Sequence, residues 1–163
     1  MGNSSSIRNT IEYFDFNNCS NLIKIGAEAF RHANLNPKLY LNNTVVLPGK
    51  INQIEGGAFN ACMKKDSGAA NVEIPGSVII MGAYAFAHWD SANGSSTIII
   101  GDEDNFSNLD LRKSGTPIIS SNDSNGISDI SKVTIYTTKY TKDDFEGYIQ
   151  SVKDLDIINS SDS

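Results

Sequence analysis

Concentrated positive charge is missing from this chain of 163 residues. Lys and Arg number 13 against 19 Asp and Glu, a net charge of −6. No basic cluster exceeds Lys64-Lys65 or Arg112-Lys113. Phosphate contacts need gathered Lys and Arg, so no nucleic-acid partner is expected. Long apolar runs are absent too. The longest candidate, Val78-Ile-Ile-Met81, is strand-sized, far short of the about 20 residues that cross a bilayer. The chain is therefore not expected to span a membrane. Only two cysteines occur, Cys19 and Cys62, which allow one disulfide at most. No HExxH, GxSxG, P-loop or Rossmann fingerprint is present. No catalytic residue, cofactor or metal is expected on that basis. The first residues are polar and carry no secretory leader, which leaves the compartment open. Met1-Gly-Asn-Ser-Ser-Ser6 formally fits an N-myristoylation pattern. A start codon and one Gly before a Ser-rich tail is the plainer reading.

What the chain does have is a recurring motif. Ile25-Gly-Ala-Glu-Ala-Phe30 returns as Ile54-Glu-Gly-Gly-Ala-Phe59 and as Met81-Gly-Ala-Tyr-Ala-Phe86, with Phe-to-Phe spacings of 29 and 27 residues. Val45-Val-Leu-Pro48 and Val72-Glu-Ile-Pro75 keep step, their prolines 27 apart. A period of this length is the mark of stacked units, none of which can bury its apolar face alone. The alternation in the strand stretches points Val45, Leu47, Val72 and Ile74 inward, and Val46 and Glu73 outward. Phe30, Phe59 and Phe86 are expected to form one column in the core. Cys62, three residues after Phe59, then faces that core, so buried thiols are preferred to a disulfide.

Taken in order, residues 1–9 read as a disordered tail and 10–156 as one repeat domain. Thr10–Phe16 alternates like a strand, and Asn17–Asn21 reads as a turn. Leu39-Tyr-Leu41, Val45–Leu47, Val72–Ile74 and Thr97–Ile100 are β-rich. Past Asp102 the pattern fades, so residues 97–140 read as irregular last coils, with Leu109–Leu111, Pro117–Ile119 and Val133–Tyr136 as strand candidates. Phe145, Ile149, Val152 and Leu155 then fall at helical spacing. Thr141 with Asp144 resembles a capping box. These predict a capping helix over about 142–155, covering the sheet edge of the last coil. Residues 157–163 read as a second tail.

The stretch Ile74-Pro-Gly-Ser-Val78, followed by Met81-Gly-Ala-Tyr-Ala-Phe86, resembles the BspA-like leucine-rich-repeat family. Phe59-Asn-Ala-Cys62 and Phe16-Asn-Asn-Cys19-Ser-Asn-Leu22 match the second half of that family's unit. The likeness covers about residues 14–101 and, more loosely, 131–150. It departs from the pattern at Ala33 and Trp89, which stand in the Cys slot, and at Ile100-Gly101, which replaces Ile-Pro. The resemblance implies a β-rich α/β solenoid, a short leucine-rich-repeat stack of parallel strands with a C-terminal capping helix. It also implies a secreted or cell-surface protein concerned with adhesion.

Candidate partner-binding residues follow from the outward positions: Val46, Glu73, His32, His88 and Trp89. His32 and His88 both stand two residues after a motif Phe, and solvated surface histidine is the plainer reading of each. Trp89 either fills the core in place of Cys or swings out as a docking anchor. Asp102-Glu-Asp-Asn105 and Asp123-Ser-Asn-Gly126 have partial calcium-loop spacing without the twelfth-position Glu, and read as solvated turns. The expected function is a non-catalytic module, monomeric, that binds a protein or surface glycan. Two alternatives stand beside it: a structural domain packing on neighbouring domains, and a small hydrolase or metal-dependent enzyme built on the loops.

Overall fold

The computed structural model describes residues 11–64, 67–89, 96–121 and 130–159. Its architecture is of α/β type, built from parallel sheets with little helix. The strands are β1 (Lys24–Ile25), β2 (Thr44–Val46), β3 (Gln53–Ile54), β4 (Asn71–Ile74), β5 (Ile80–Met81), β6 (Phe86–Ala87), β7 (Ser96–Ile100), β8 (Ile119–Ser120), β9 (Ile130–Tyr136), β10 (Ile149–Gln150) and β11 (Asp154–Ile158). They form three sheets, in the orders β1-β3-β5, β6-β8-β10 and β2-β4-β7-β9-β11. Every pairing is parallel. Helix among the described residues is confined to three 3-10 turns of three residues each.

The registers explain why these residues become strands. Val45 pairs with Val72, Val72 with Ile98, Ile98 with Val133 and Val133 with Leu155. Four of the five residues in this row are β-branched, a shape suited to a pleated, half-buried surface. Val45, Val72, Ile98 and Val133 are all buried. The short first sheet adds Ile25, Ile54 and Met81 to the same core. Met81 is followed by Gly82 for a steric reason. A Cβ there would lie 2.3 Å from the backbone nitrogen of Gly56 in the turn beneath.

The aromatic column forms as expected. Phe30 and Phe59 stack at 5.1 Å and 5°, Phe59 and Phe86 at 5.0 Å and 16°. Backbone bonds set the rise: Phe30 N–H donates to Ala58 O, Phe59 N–H to Ala85 O and Phe86 N–H to Ile118 O, at 2.7, 2.8 and 3.1 Å. Above Phe86 the column continues in aliphatic form, with Ile119 and then Ile149 in register. Two positions per motif adopt left-handed backbone, Glu28, Gly57 and Tyr84 before the Phe and His32, Ala61 and His88 after it, with φ between 48° and 64°. The stretch around each Phe is therefore a pair of tight turns rather than a continuous strand.

Several expectations need correction. The capping helix over 142–155 does not form. A 3-10 turn at Asp143–Phe145 is followed by β10 and β11. The capping-box contact is present, since Asp144 Oδ2 accepts from Thr141 N at 2.7 Å and Oγ1 at 2.8 Å. It serves one turn only, because Gly147 at φ +81° redirects the chain. An isolated helix of that length is marginal in water, whereas β8 and β9 offer ready strand edges that β10 and β11 complete. Of the expected tail at 157–163, Ile157 and Ile158 belong to β11, and residues 160–163 lie outside the described residues. Within the span 97–140 the β-rich Thr97–Ile100 falls in β7, the candidates Pro117–Ile119 and Val133–Tyr136 overlap β8 and β9, and Leu109–Leu111 lies outside the strands. Leu39 and Leu41 sit in 3-10 turns. Residues 11–16 pair with no strand. Instead Phe14 and Phe16 pack on Phe30 at 5.3 and 5.7 Å, closing the first turn with rings. The expected tail at 1–9 lies outside the described residues.

Candidate functional site

The five-stranded sheet turns one face to the core and the other outward. On the outer face Val46, Glu73, Ile99, Thr134 and Asp156 stand in one register column across the five strands. Their outward direction follows from alternation with the buried Val45, Val72, Ile98 and Val133. Val46 is 50% exposed, high for a branched aliphatic residue. The first three members of the column floor a groove of about 420 Å³. Pro75, Gly101, Asp102 and Asn105 wall it, and Tyr136, one residue past the Ile100–Ile135 pair, completes the lining.

Each wall has a local cause. Gly101 N–H donates to Ile74 O at 2.9 Å, which carries the β4–β7 ladder one residue further and holds Gly101 beside Pro75. The chain then closes a turn: Asp102 N–H donates to Asn105 O and Asn105 N–H to Asp102 O, at 3.1 and 3.2 Å. Asp102 Oδ1 accepts from Asp104 N at 2.9 Å. Asp102–Asn105 is therefore a self-bonded turn, the plainer of its two readings. Tyr136 is held by Phe106, ring centroids 6.1 Å apart at 78°.

The electrostatics of the groove are one-sided. Its lining holds two carboxylates, Glu73 and Asp102, and no Lys or Arg. Among the described residues no ion pair or hydrogen bond engages the Glu73 carboxylate. Lys132, on the same sheet face, bonds instead with Asp156 at 3.5 Å and Asp154 at 4.0 Å. Charge elsewhere is spent on holding turns. Glu55 takes the place that Gly26 and Gly82 occupy in the other motifs, and reaches Lys24 at 2.6 Å and Ala27 N at 2.9 Å. The Lys24 ammonium and then the Ala27 N–H hold its carboxyl below the usual range.

Of the candidate residues, Val46 and Glu73 come together in the groove. His32 and His88 do not. His32 is exposed and His88 half-buried, on the turns after Phe30 and Phe86, where their backbone N–H groups donate to Asn60 O and Ser120 O. Trp89 is fully buried. Its indole N–H donates to Ala70 O at 2.9 Å, and its ring meets Phe59 at 5.9 Å and 72°. The core reading of Trp89 therefore holds, and no partner reaches it as a surface anchor. Asp123–Gly126 lies outside the described residues. Cys62 is buried and Cys19 half-buried, with no disulfide between them. Among the described residues no cluster of three His, Cys, Asp or Glu could hold a metal ion, and no helix is long and apolar enough to cross a membrane.

Sequence reasoning missed Ile99 and Tyr136 as groove residues. Ile99 was findable, since aligning Thr97–Ile100 on Val72–Ile74 puts it beside Glu73. Tyr136 was not, because it follows a longer excursion of chain that hides its register. Comparison with protein-family models, curated proteins and solved structures finds no match for this chain.

Proposed function

We propose that this chain is a short solenoid of the BspA-like leucine-rich-repeat kind and works as a non-catalytic binding module. It grips another protein with the outer face of its five-stranded sheet. Its setting is the cell surface or the secreted fraction, as one part of a larger adhesive protein. The observation that supports this is the in-register row Val46, Glu73 and Ile99 at the floor of a groove of about 420 Å³. Partly exposed aliphatic side chains beside an unengaged carboxylate contribute little to folding, but they supply the apolar centre and polar element that recognition surfaces use.

The test is capture of a panel of purified extracellular proteins by the immobilised chain, measured beside the variants Val46→Asp, Glu73→Lys and Ile99→Asp. Ile23→Ser, an exposed site on another part of the surface, is the control. The expected result is a drop of roughly tenfold or more for the face variants, the scale of a hot-spot loss, with the control unchanged. Equal capture by the face variants would refute the proposal.

One observation favours a second reading, assembly with neighbouring domains. Leu39 and Leu41 are exposed near the first turn, Leu41 to 84%, and among the described residues β11 is paired on one side only. Capture lost through Leu41→Ser but retained by the groove variants would select that reading.

A further inference from the structure

We propose that the sheet-face groove recognises a lysine or arginine side chain presented by the partner protein. This rests on the binding reading above and adds the chemistry of the recognised group. The floor sets Glu73 between Val46 and Ile99 in register. A second carboxylate, Asp102, stands on the wall, and the lining holds no cation to neutralise either. The cation on that face, Lys132, is engaged by Asp154 and Asp156 in the neighbouring strand. A neutral apolar ligand would strip water from Glu73 with nothing to replace it, which is costly. An anionic ligand would meet both carboxylates on a chain of net charge −6, and like charges repel. A basic side chain answers both demands. Its methylene stem lies against Val46 and Ile99 while its head stays with the carboxylates. A guanidinium adds paired donors for a carboxylate and affinity for an aromatic ring such as Tyr136.

The experiment is a titration of the full isotope-labelled chain followed by amide chemical shifts. The probes are Ac-Gly-Arg-Gly-amide, Ac-Gly-Lys-Gly-amide, the same peptide carrying neutral citrulline, and the neutral sugar diacetylchitobiose. The expected result is shifts at Val46, Glu73, Ile99 and Asp102 with the Arg and Lys peptides. Binding of citrulline should be weaker on the order of five-fold. The response should fade toward about 0.5 M salt, where exposed charges are screened, and weaken on the same order of five-fold in Glu73→Gln, with the unfolding midpoint of that variant unchanged. Equal response to citrulline or to the sugar would overturn the cation inference while leaving the groove a binding surface. No shift at these residues with any probe would overturn it as well. The capture experiment decides the binding reading separately, since Val46→Asp and Ile99→Asp test the face whatever group it recognises.

Discussion

Replacing Phe59 with alanine removes the middle ring of the aromatic column. Phe59 is fully buried and lies between Phe30 and Phe86, at 5.1 and 5.0 Å. The edge of Trp89 closes on it at 5.9 Å. Truncating a buried Phe costs about 3–5 kcal/mol, from lost transfer free energy and the cavity left behind. The ring is enclosed on every side, so the upper half of that range is expected. Against a total stability of about 5–15 kcal/mol for a domain, this is a severe loss, and Phe59→Leu provides a milder companion that retains most of the volume. Phe30 also meets three rings, Phe14, Phe16 and Phe59, but it is only half-buried, so Phe30→Ala should cost about 2 kcal/mol, closer to the transfer of a partly buried ring. The measurement is urea unfolding followed by fluorescence of Trp89, the single tryptophan, with the midpoint read at constant slope. A cost below about 1 kcal/mol for Phe59→Ala, or equal costs at Phe30 and Phe59, would refute a column whose centre is the tightest part of the core.

Three further expectations rest on other contacts. Gly82→Ala should destabilise by about 1–3 kcal/mol or more, as overpacking does, because its Cβ meets the Gly56 backbone at 2.3 Å. Gly49→Ala, with nothing within 4 Å, should be near neutral in the same thermal melt. Trp89→Phe leaves the Ala70 carbonyl without its indole donor, a loss of about 1–3 kcal/mol readable by chemical denaturation. Glu55, Asp110 and Asp144 have carboxyls held below their usual range by Lys24, Arg112 and the Thr141 N–H respectively. A depressed folded value means stability present above the ordinary carboxylate range, about pH 4, and lost as pH falls through the folded values. Melting temperature should therefore drop below about pH 4, and Glu55→Gln should flatten part of that drop. A drop of the same size in Glu55→Gln would show that this carboxylate is not a contributor.

Legibility in the sequence tracked the distance over which the deciding interaction acts. The facing of Val45, Val46, Val72 and Glu73 follows from local alternation, and the structure places all four as read. The Phe column was legible because three copies of one motif imply one environment. The stretch 142–155 failed for the opposite reason. Its apolar spacing and the Thr141–Asp144 contact both favour a helix, but Ile149 answers to Ile119, and Leu155 to Val133. Nothing within 142–155 announces those edges. Phe14 and Phe16 misled similarly: alternation was real, yet no strand lay beside them, and their rings cover Phe30 instead. The left-handed turns at His32, Ala61 and His88 gave no signal, since only Gly57 among the six such positions is the residue type that advertises them.

Because each strand of the five-stranded sheet is hydrogen-bonded only to its immediate neighbours in the order, cohesion along this sheet works largely by nearest neighbours. Loosening should begin at the outermost rungs and travel inward like a zipper. Amides of β7, and next those of β4 and β9, each gripped from both sides, should exchange with heavy water most slowly, while those of β2 and β11 should exchange first. Val46 and Glu73 then straddle the boundary between a fraying rung and a firm one, so a ligand seated across them would lock the outer rung as it binds.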